Sequence, residues 1–193
     1  MFREGLAKFQ FVRLKELNPV CLSSVDSTQD YLIKELSSKH EGDFVVSDIQ
    51  TSGRGREGRS WYSDIGGLYF SITLAPNKIE VLDQIAPMVT RVIRDALEND
   101  FHLTQCSLKP LNDVICRGKK IAGVLVDAEL NGISSRAYIG IGVDLNNGKN
   151  WTEEMKKIAT SYFLETRTEI CVDDFILSLL SRLDHEYFEL MSG

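Results

Sequence analysis

The sequence is poor in the residues that build disulfide, metal and redox frameworks. Its 193 residues include four cysteines and three histidines. Cys21, Cys106, Cys116 and Cys171 are scattered, with no C-x-x-C pair. They read as small hydrophobes in a reducing compartment rather than as bridges or metal ligands. His40, His102 and His185 lie far apart, in no H-E-x-x-H or H-x-H setting, which argues against zinc and against a histidine-based nucleophile relay. No run approaches the ~18 apolar residues that cross a bilayer. The start, Met1-Phe2-Arg3-Glu4-Gly5, lacks the apolar core and cleavage site of a secretory leader, so a cytoplasmic protein is expected.

Net positive charge is lacking too: 22 Lys+Arg against 28 Asp+Glu give −6. A general nucleic-acid or membrane-surface binder would want a basic face, so neither partner is expected. The deficit is uneven. Residues 50–60 carry three Arg against one Glu (+2) and residues 109–120 four Lys/Arg against one Asp (+3), leaving −11 for the rest. Two local basic segments in an acidic chain suit a small anionic ligand. No repeat, low-complexity tract or linker divides the chain, and at ~150 residues per domain it is expected to be one domain, residues 1–193. Its 43% apolar and 26% charged composition is that of a globular protein able to bury a core without staples.

Periodicity places the elements. Residues 20–25 read as a strand, followed by Asp26-Ser27-Thr28 and a helix through Tyr31, Leu32 and Leu36, which Ser27 or Thr28 can cap. Residues 44–49 and 68–74 read as strands, and Ile85, Met88, Val89, Val92, Ile93, Ala96 and Leu97 mark one face of a long helix. Strands over 112–116, 121–129 and 134–145 follow, with turns at Arg117-Gly118-Lys119 and Asn131-Gly132, and then a helix over 172–191. Hairpin-linked strands mixed with long helices indicate an α+β domain, a mixed sheet flanked by helices.

Three segments carry chemistry. The first, Gly53-Arg54-Gly55-Arg56-Glu57-Gly58-Arg59-Ser60-Trp61, contains G-x-G-x-x-G, but no helix opens on its glycines, so the dinucleotide reading fails; the Walker A pattern is absent as well. What remains is a flexible loop in which glycine admits close backbone approach and Arg54, Arg56 and Arg59 offer bidentate forks for carboxylate or phosphate. Trp61 is either an apolar plane for a ligand ring or a core anchor. The second segment brings Asn112, Asp113 and Lys120 near one another across a hairpin, either as a surface ion pair or as a lysine for an anionic reacting centre with Asn112 and Asp113 orienting metal, phosphate or ribose. The third, 137–147, has aliphatics on one face and Gly140, Gly142, Asp144 and Asn146 on the other, so that a ligand, a helix or a large side chain packs directly on the backbone; nearby Ala122-Gly123 favours the ligand.

In this order the three segments, together with Asp26-Ser27-Thr28 and Leu68-Tyr69-Phe70-Ser71, resemble the biotin protein ligase catalytic domain from about residue 20 to 190. The resemblance implies a fold similar to the catalytic core of class II aminoacyl-tRNA synthetases. It also implies a two-step reaction: the biotin carboxylate attacks the α-phosphorus of Mg2+-ATP to give biotinoyl-5′-AMP, and a lysine of a biotin carboxyl carrier domain then takes the acyl group. Lys120, Arg54, Arg56 and Asp113 would be catalytic. Ser27, Thr28, Gln50, Gly53, Gly123, Gly140 and Gly142, with Arg54 and Lys120, would bind biotin, and Arg56, Arg59, Trp61, Asn112 and Asp113 the adenylate. No metal site of the protein's own is implied, since Mg2+ arrives with ATP. By analogy a homodimer joined at sheet edges is expected. Two departures stand out: Pro110-Leu111 replaces the family's Trp-Pro, and the chain stops near the end of the catalytic domain, so that a small C-terminal β module is not expected; nor, at this length, is the DNA-binding domain of bifunctional relatives. The alternatives are a lipoate or octanoate ligase or transferase of the same superfamily, and a non-catalytic biotin or adenylate sensor.

Overall fold

A computed structural model describes residues 11–14, 16–36, 40–110, 112–131 and 134–193. Among these, seven strands form one sheet: β1 (Asn18–Leu22), β2 (Asp43–Ser47), β3 (Leu68–Leu74), β4 (Cys106–Lys109), β5 (Asp113–Cys116), β6 (Lys119–Asn131) and β7 (Ser134–Val143). Their order is β1-β2-β3-β7-β6-β5-β4, with β1 and β2 parallel and every other neighbour antiparallel. The helices are α1 (Thr28–Lys34), α2 (Leu82–Asp95), α3 (Glu153–Ile158), α4 (Tyr162–Thr166) and α5 (Val172–Ser192). The mixed sheet flanked by helices is the architecture the periodicity indicates.

The two faces of the sheet differ. On one, Leu68, Phe70, Ile72 and Leu74 of β3 and Ile139, Ile141 and Val143 of β7 meet Ile85, Val89 and Val92 of α2 and Phe175, Leu179 and Leu183 of α5 in one buried cluster. Asp184, on α5, accepts backbone N–H bonds from Val12, Arg13 and Leu14 at 2.5, 2.8 and 2.6 Å, which ties that segment to the helix. The other face has a smaller cluster of Leu32, Val45 and Tyr138 under α1. The intervening residues Tyr69 and Ser71 of β3 and Gly140 and Gly142 of β7, with Asp144 just past the strand end, point to this second face and leave room for a site.

Expected and observed boundaries differ by a few residues at most strand ends. Gly132 of the expected 131–132 turn lies outside the described residues, as does Leu111. The sequence reading missed β4, a four-residue edge strand with mostly exposed side chains, and the short helices α3 and α4. None of these three is long enough to show a hydrophobic period. Among the described residues no helix is long and apolar enough to cross a membrane.

Candidate active site

The entrance to α1 sets the first wall. Ser27 caps the helix, its hydroxyl accepting from the Asp30 N–H at 3.3 Å. The Thr28 N–H and hydroxyl both donate to Gln50 Oε1, at 2.9 and 3.0 Å, and Gln50 Nε2 donates to Ser63 at 2.9 Å. Because the single Thr28 hydroxyl proton goes to Gln50, the Ser71 hydroxyl donates to Thr28 at 2.9 Å. The Gln50 amide is thereby oriented, with its carbonyl engaged twice.

The glycine–arginine segment is folded as a tight hairpin, where the sequence suggested a flexible loop. Trp61 N–H donates to Gly53 O at 2.8 Å and Gly55 N–H to Arg59 O at 2.7 Å. The turn uses left-handed conformations at Glu57 (φ 57°) and Gly58 (φ 73°). Gly53 serves this closure and stands behind the cavity wall, since a Cβ there would lie 2.5 Å from the Trp61 carbonyl oxygen. Arg54 is held between Asp30 (2.7 Å) and Asp127 (3.1 Å), and Arg56 donates to Asn112 Oδ1 at 2.9 Å. Asn112 in turn donates to the Val124 carbonyl at 2.7 Å, which fastens the hairpin to β6. Arg59 turns back to the Arg56 carbonyl and Glu57.

The third wall depends on an irregularity. Along β5 and β6 the register runs Asp113↔Gly123, Val114↔Ala122, then Ile115↔Lys120, which leaves Ile121 as an extra residue. Ile121 and Ala122 both enter the core although they are consecutive, and Lys120 is thereby delivered to the side of Gly123. In a regular strand Lys120 would share the face of Ala122 and Val124, which is core. Its ammonium meets Asp113 Oδ1 at 2.7 Å and sits 5.0 Å from the centroid of the Trp61 ring, a cation–π contact.

Side chains cover the strand glycines. A Cβ on Gly142 would lie 2.5 Å from Trp61 Cε2, one on Gly123 3.0 Å from Trp61 Cζ3, and one on Gly140 2.9 Å from Gln29 Oε1. Of the packings the glycine face allows, the observed one is thus a large side chain, with Trp61 lying across the sheet instead of anchoring the core. Gln29 was not legible in the sequence as a site residue. Its Nε2 donates to the Tyr138 carbonyl at 2.7 Å, which fixes the amide and leaves Oε1, like Trp61 Nε1, buried without a protein partner. Below them Asp144 is buried with Asn147 donating to it at 2.7 Å, and burial pushes its carboxyl well above the ordinary range.

One cavity is lined by Ser27, Thr28, Gln50, Arg54, Arg56, Arg59, Trp61, Asn112, Asp113, Lys120, Gly123, Gly140 and Gly142, so every expected site residue except Gly53 borders it. Residues 21–144 match the model of the biotin/lipoate A/B protein ligase family. The chain belongs to this family. It is 33% identical over 144 residues to the bifunctional ligase/repressor BirA of Bacillus subtilis, covering 72% of this chain and 43% of that protein. It is 29% identical over 127 residues to the biotin–[acetyl-CoA-carboxylase] ligase of Paracoccus denitrificans, covering 64% and 53%. Among solved structures, the biotin protein ligase of Aquifex aeolicus in complex with biotin and ATP superimposes with a TM-score of 0.80 at 35% identity, covering 91% of this chain and 72% of that one. The chain thus spans about half the length of these curated relatives.

Proposed function

We propose that this family member is an ATP-dependent biotin–protein ligase that forms biotinoyl-5′-AMP and transfers biotin to a lysine of a biotin carboxyl carrier domain. The observation that carries the reading is the meeting of the bulge-borne Lys120 and the arginine hairpin on one cavity, joined through Asn112 and Asp113. Two anions, a carboxylate and a triphosphate, have to approach one another, and fixed positive charge in a partly buried site lowers that barrier. Lys120 would hold the carboxylate and α-phosphate oxygens, exchanging its present partner Asp113. Arg54 would join it by giving up Asp30 and Asp127. Arg56, Arg59, Trp61, Asn112 and Asp113 would hold the adenylate. Mg2+ would enter with ATP as part of that substrate, with Asp113 as the carboxylate lining the cavity.

The polar end of biotin would meet Ser27, Thr28 and Gln50, a set already oriented by its own hydrogen bonds and so ordered at little further cost. Gly123, Gly140 and Gly142 would give the floor its flatness, and Gly53 would act through closure of the hairpin. Once the acyl-adenylate has formed with loss of pyrophosphate, the acceptor amine attacks its acyl carbon and AMP leaves. The covering hairpin would keep water from this mixed anhydride. Cytoplasmic residence and a homodimer belong to the same proposal, the latter read by light scattering.

One incubation tests the reading: protein, Mg2+-ATP, biotin and a carrier domain, followed by mass. A single biotinoyl addition on a carrier lysine is expected. In parallel incubations with lipoate or octanoate in place of biotin, addition from those acids but not from biotin would place the chain in the other branch of the family, and biotin binding without transfer would make it a sensor.

A further inference from the structure

Away from the cavity, β4 and β5 place two thiols directly opposite one another. Cys106 and Cys116 are register partners of the antiparallel pair. The Arg117 N–H donates to the Gln105 carbonyl at 3.2 Å, so the neighbouring 105/117 pair is the hydrogen-bonded one. Cys106 and Cys116 then form a non-hydrogen-bonded pair, in which Cα atoms stand about 4.5 Å apart and side chains are closest. In keeping with this, the Cys106 N–H turns away from β5 and donates to Glu98 Oε1 at 3.0 Å. A separation of about 4.5 Å lies within the range that a disulfide spans.

Both thiols are reduced, and each donates to a backbone carbonyl, Cys106 to Leu103 at 3.5 Å and Cys116 to Thr104 at 3.9 Å. The neighbouring Cys116 thiol, then burial, holds the Cys106 thiol above its ordinary range, and Cys106 in turn lowers Cys116. Access differs: Cys106 is half-buried and Cys116 is fully buried in the core.

We propose that Cys106 and Cys116 are a redox modification site, a dithiol that closes to an intramolecular disulfide on reaction with a low-molecular-weight disulfide. Cys106 is the member a reagent reaches. Because its thiol is held up, the first step is slow at neutral pH and faster as pH rises. The Cys106 thiolate then attacks one sulfur of the reagent and releases one thiolate, leaving a mixed disulfide on Cys106. Cys116, deprotonated, then attacks Cys106 Sγ and expels the second thiolate. Two protein thiols lose two electrons and two protons, and one reagent disulfide becomes two thiols. The new bond staples β4, an edge strand with a single neighbour, to β5, whose first residue is the Asp113 that holds Lys120. This site depends on the register of β4 and β5 and not on the ligase reading.

The test uses the full chain with the exposed cysteines removed, Cys21→Ser with Cys171→Ser, incubated with glutathione disulfide and then alkylated after unfolding. The expected product takes up no alkylating reagent, has lost the mass of two hydrogens, and yields one peptide pair joined through residues 106 and 116. Adding Cys116→Ser is expected to stop the reaction at a stable glutathione adduct on Cys106. Two alkylatable thiols, an adduct that persists on Cys106 with Cys116 present, or disulfides between chains would each overturn the proposal.

Discussion

The face of the sheet under α2 and α5 and the face under α1 and the arginine hairpin share the same strands but solve different problems. On the first, β3 and β7 contribute aliphatic and aromatic side chains to one continuous core, with a tilted Phe44–Phe70 pair whose ring centroids lie 5.1 Å apart. On the second, the same strands present Tyr69, Ser71, Gly140 and Gly142, Asp144 follows the end of β7, and buried polar atoms of Gln29, Trp61, Thr73 and Asn147 lack a protein partner. Each such atom costs about 1–3 kcal/mol. The apolar face therefore supplies stability that the site face gives up, as expected where side chains are arranged for a ligand.

Substitutions on each side separate the two roles. Leu179→Ala, in the fully buried α5 seam, is expected to cost about 3 kcal/mol and to lower Tm by about 6–12 °C, with biotin affinity unchanged at a permissive temperature. Asp184→Ala removes the acceptor of three backbone N–H groups and is expected to cost about 2 kcal/mol in urea unfolding, again without effect on the site. If either change weakened biotin binding as strongly as a site substitution does, the division between faces would be wrong. Gly142→Ala acts from the other side. The added methyl must displace Trp61, so biotin binding measured by calorimetry should weaken about tenfold, or ~1.4 kcal/mol, with a smaller change in stability.

The smallest effect is expected at Asp144. Its folded pKa is raised above the unfolded 3.8 by burial, so the folded state holds the proton more tightly. The resulting stability is fully present below pH 3.8 and is lost as pH rises from there through the raised folded value. Asp144→Asn should therefore be more stable than the parent at neutral pH, by a fraction of the Leu179 effect. The gap should close as pH falls towards 4 in parallel chemical denaturation curves. A gap that widens on acidification would contradict the assignment.

The apolar face was largely legible because α2 and α5 are long enough to show a 3.6-residue period and β7 alternates cleanly. The site was legible as a set of residues, since glycine, arginine and lysine in those segments have few other uses together. Its geometry was not. A regular β6 would bury Lys120 among the core residues, and only the extra Ile121 turns it to the cavity; one inserted residue leaves no compositional mark. The side chain then reaches Asp113 although the strand register pairs Asp113 with Gly123. Gln29 escaped notice because a glutamine in the first turn of a helix reads as a surface residue, and its role depends on the Tyr138 carbonyl 109 positions away.

The central claim is that Lys120, turned into the cavity by the bulge, stabilises the meeting of two anions, and it is tested most directly by biotin-dependent exchange of pyrophosphate into ATP. The wild-type chain should catalyse the exchange. Lys120→Ala should lose about 10³-fold in rate while its unfolding free energy stays within about 1 kcal/mol of the parent, because the pair with Asp113 is only partly buried. A folded Lys120→Ala protein that exchanges at the wild-type rate would contradict the account.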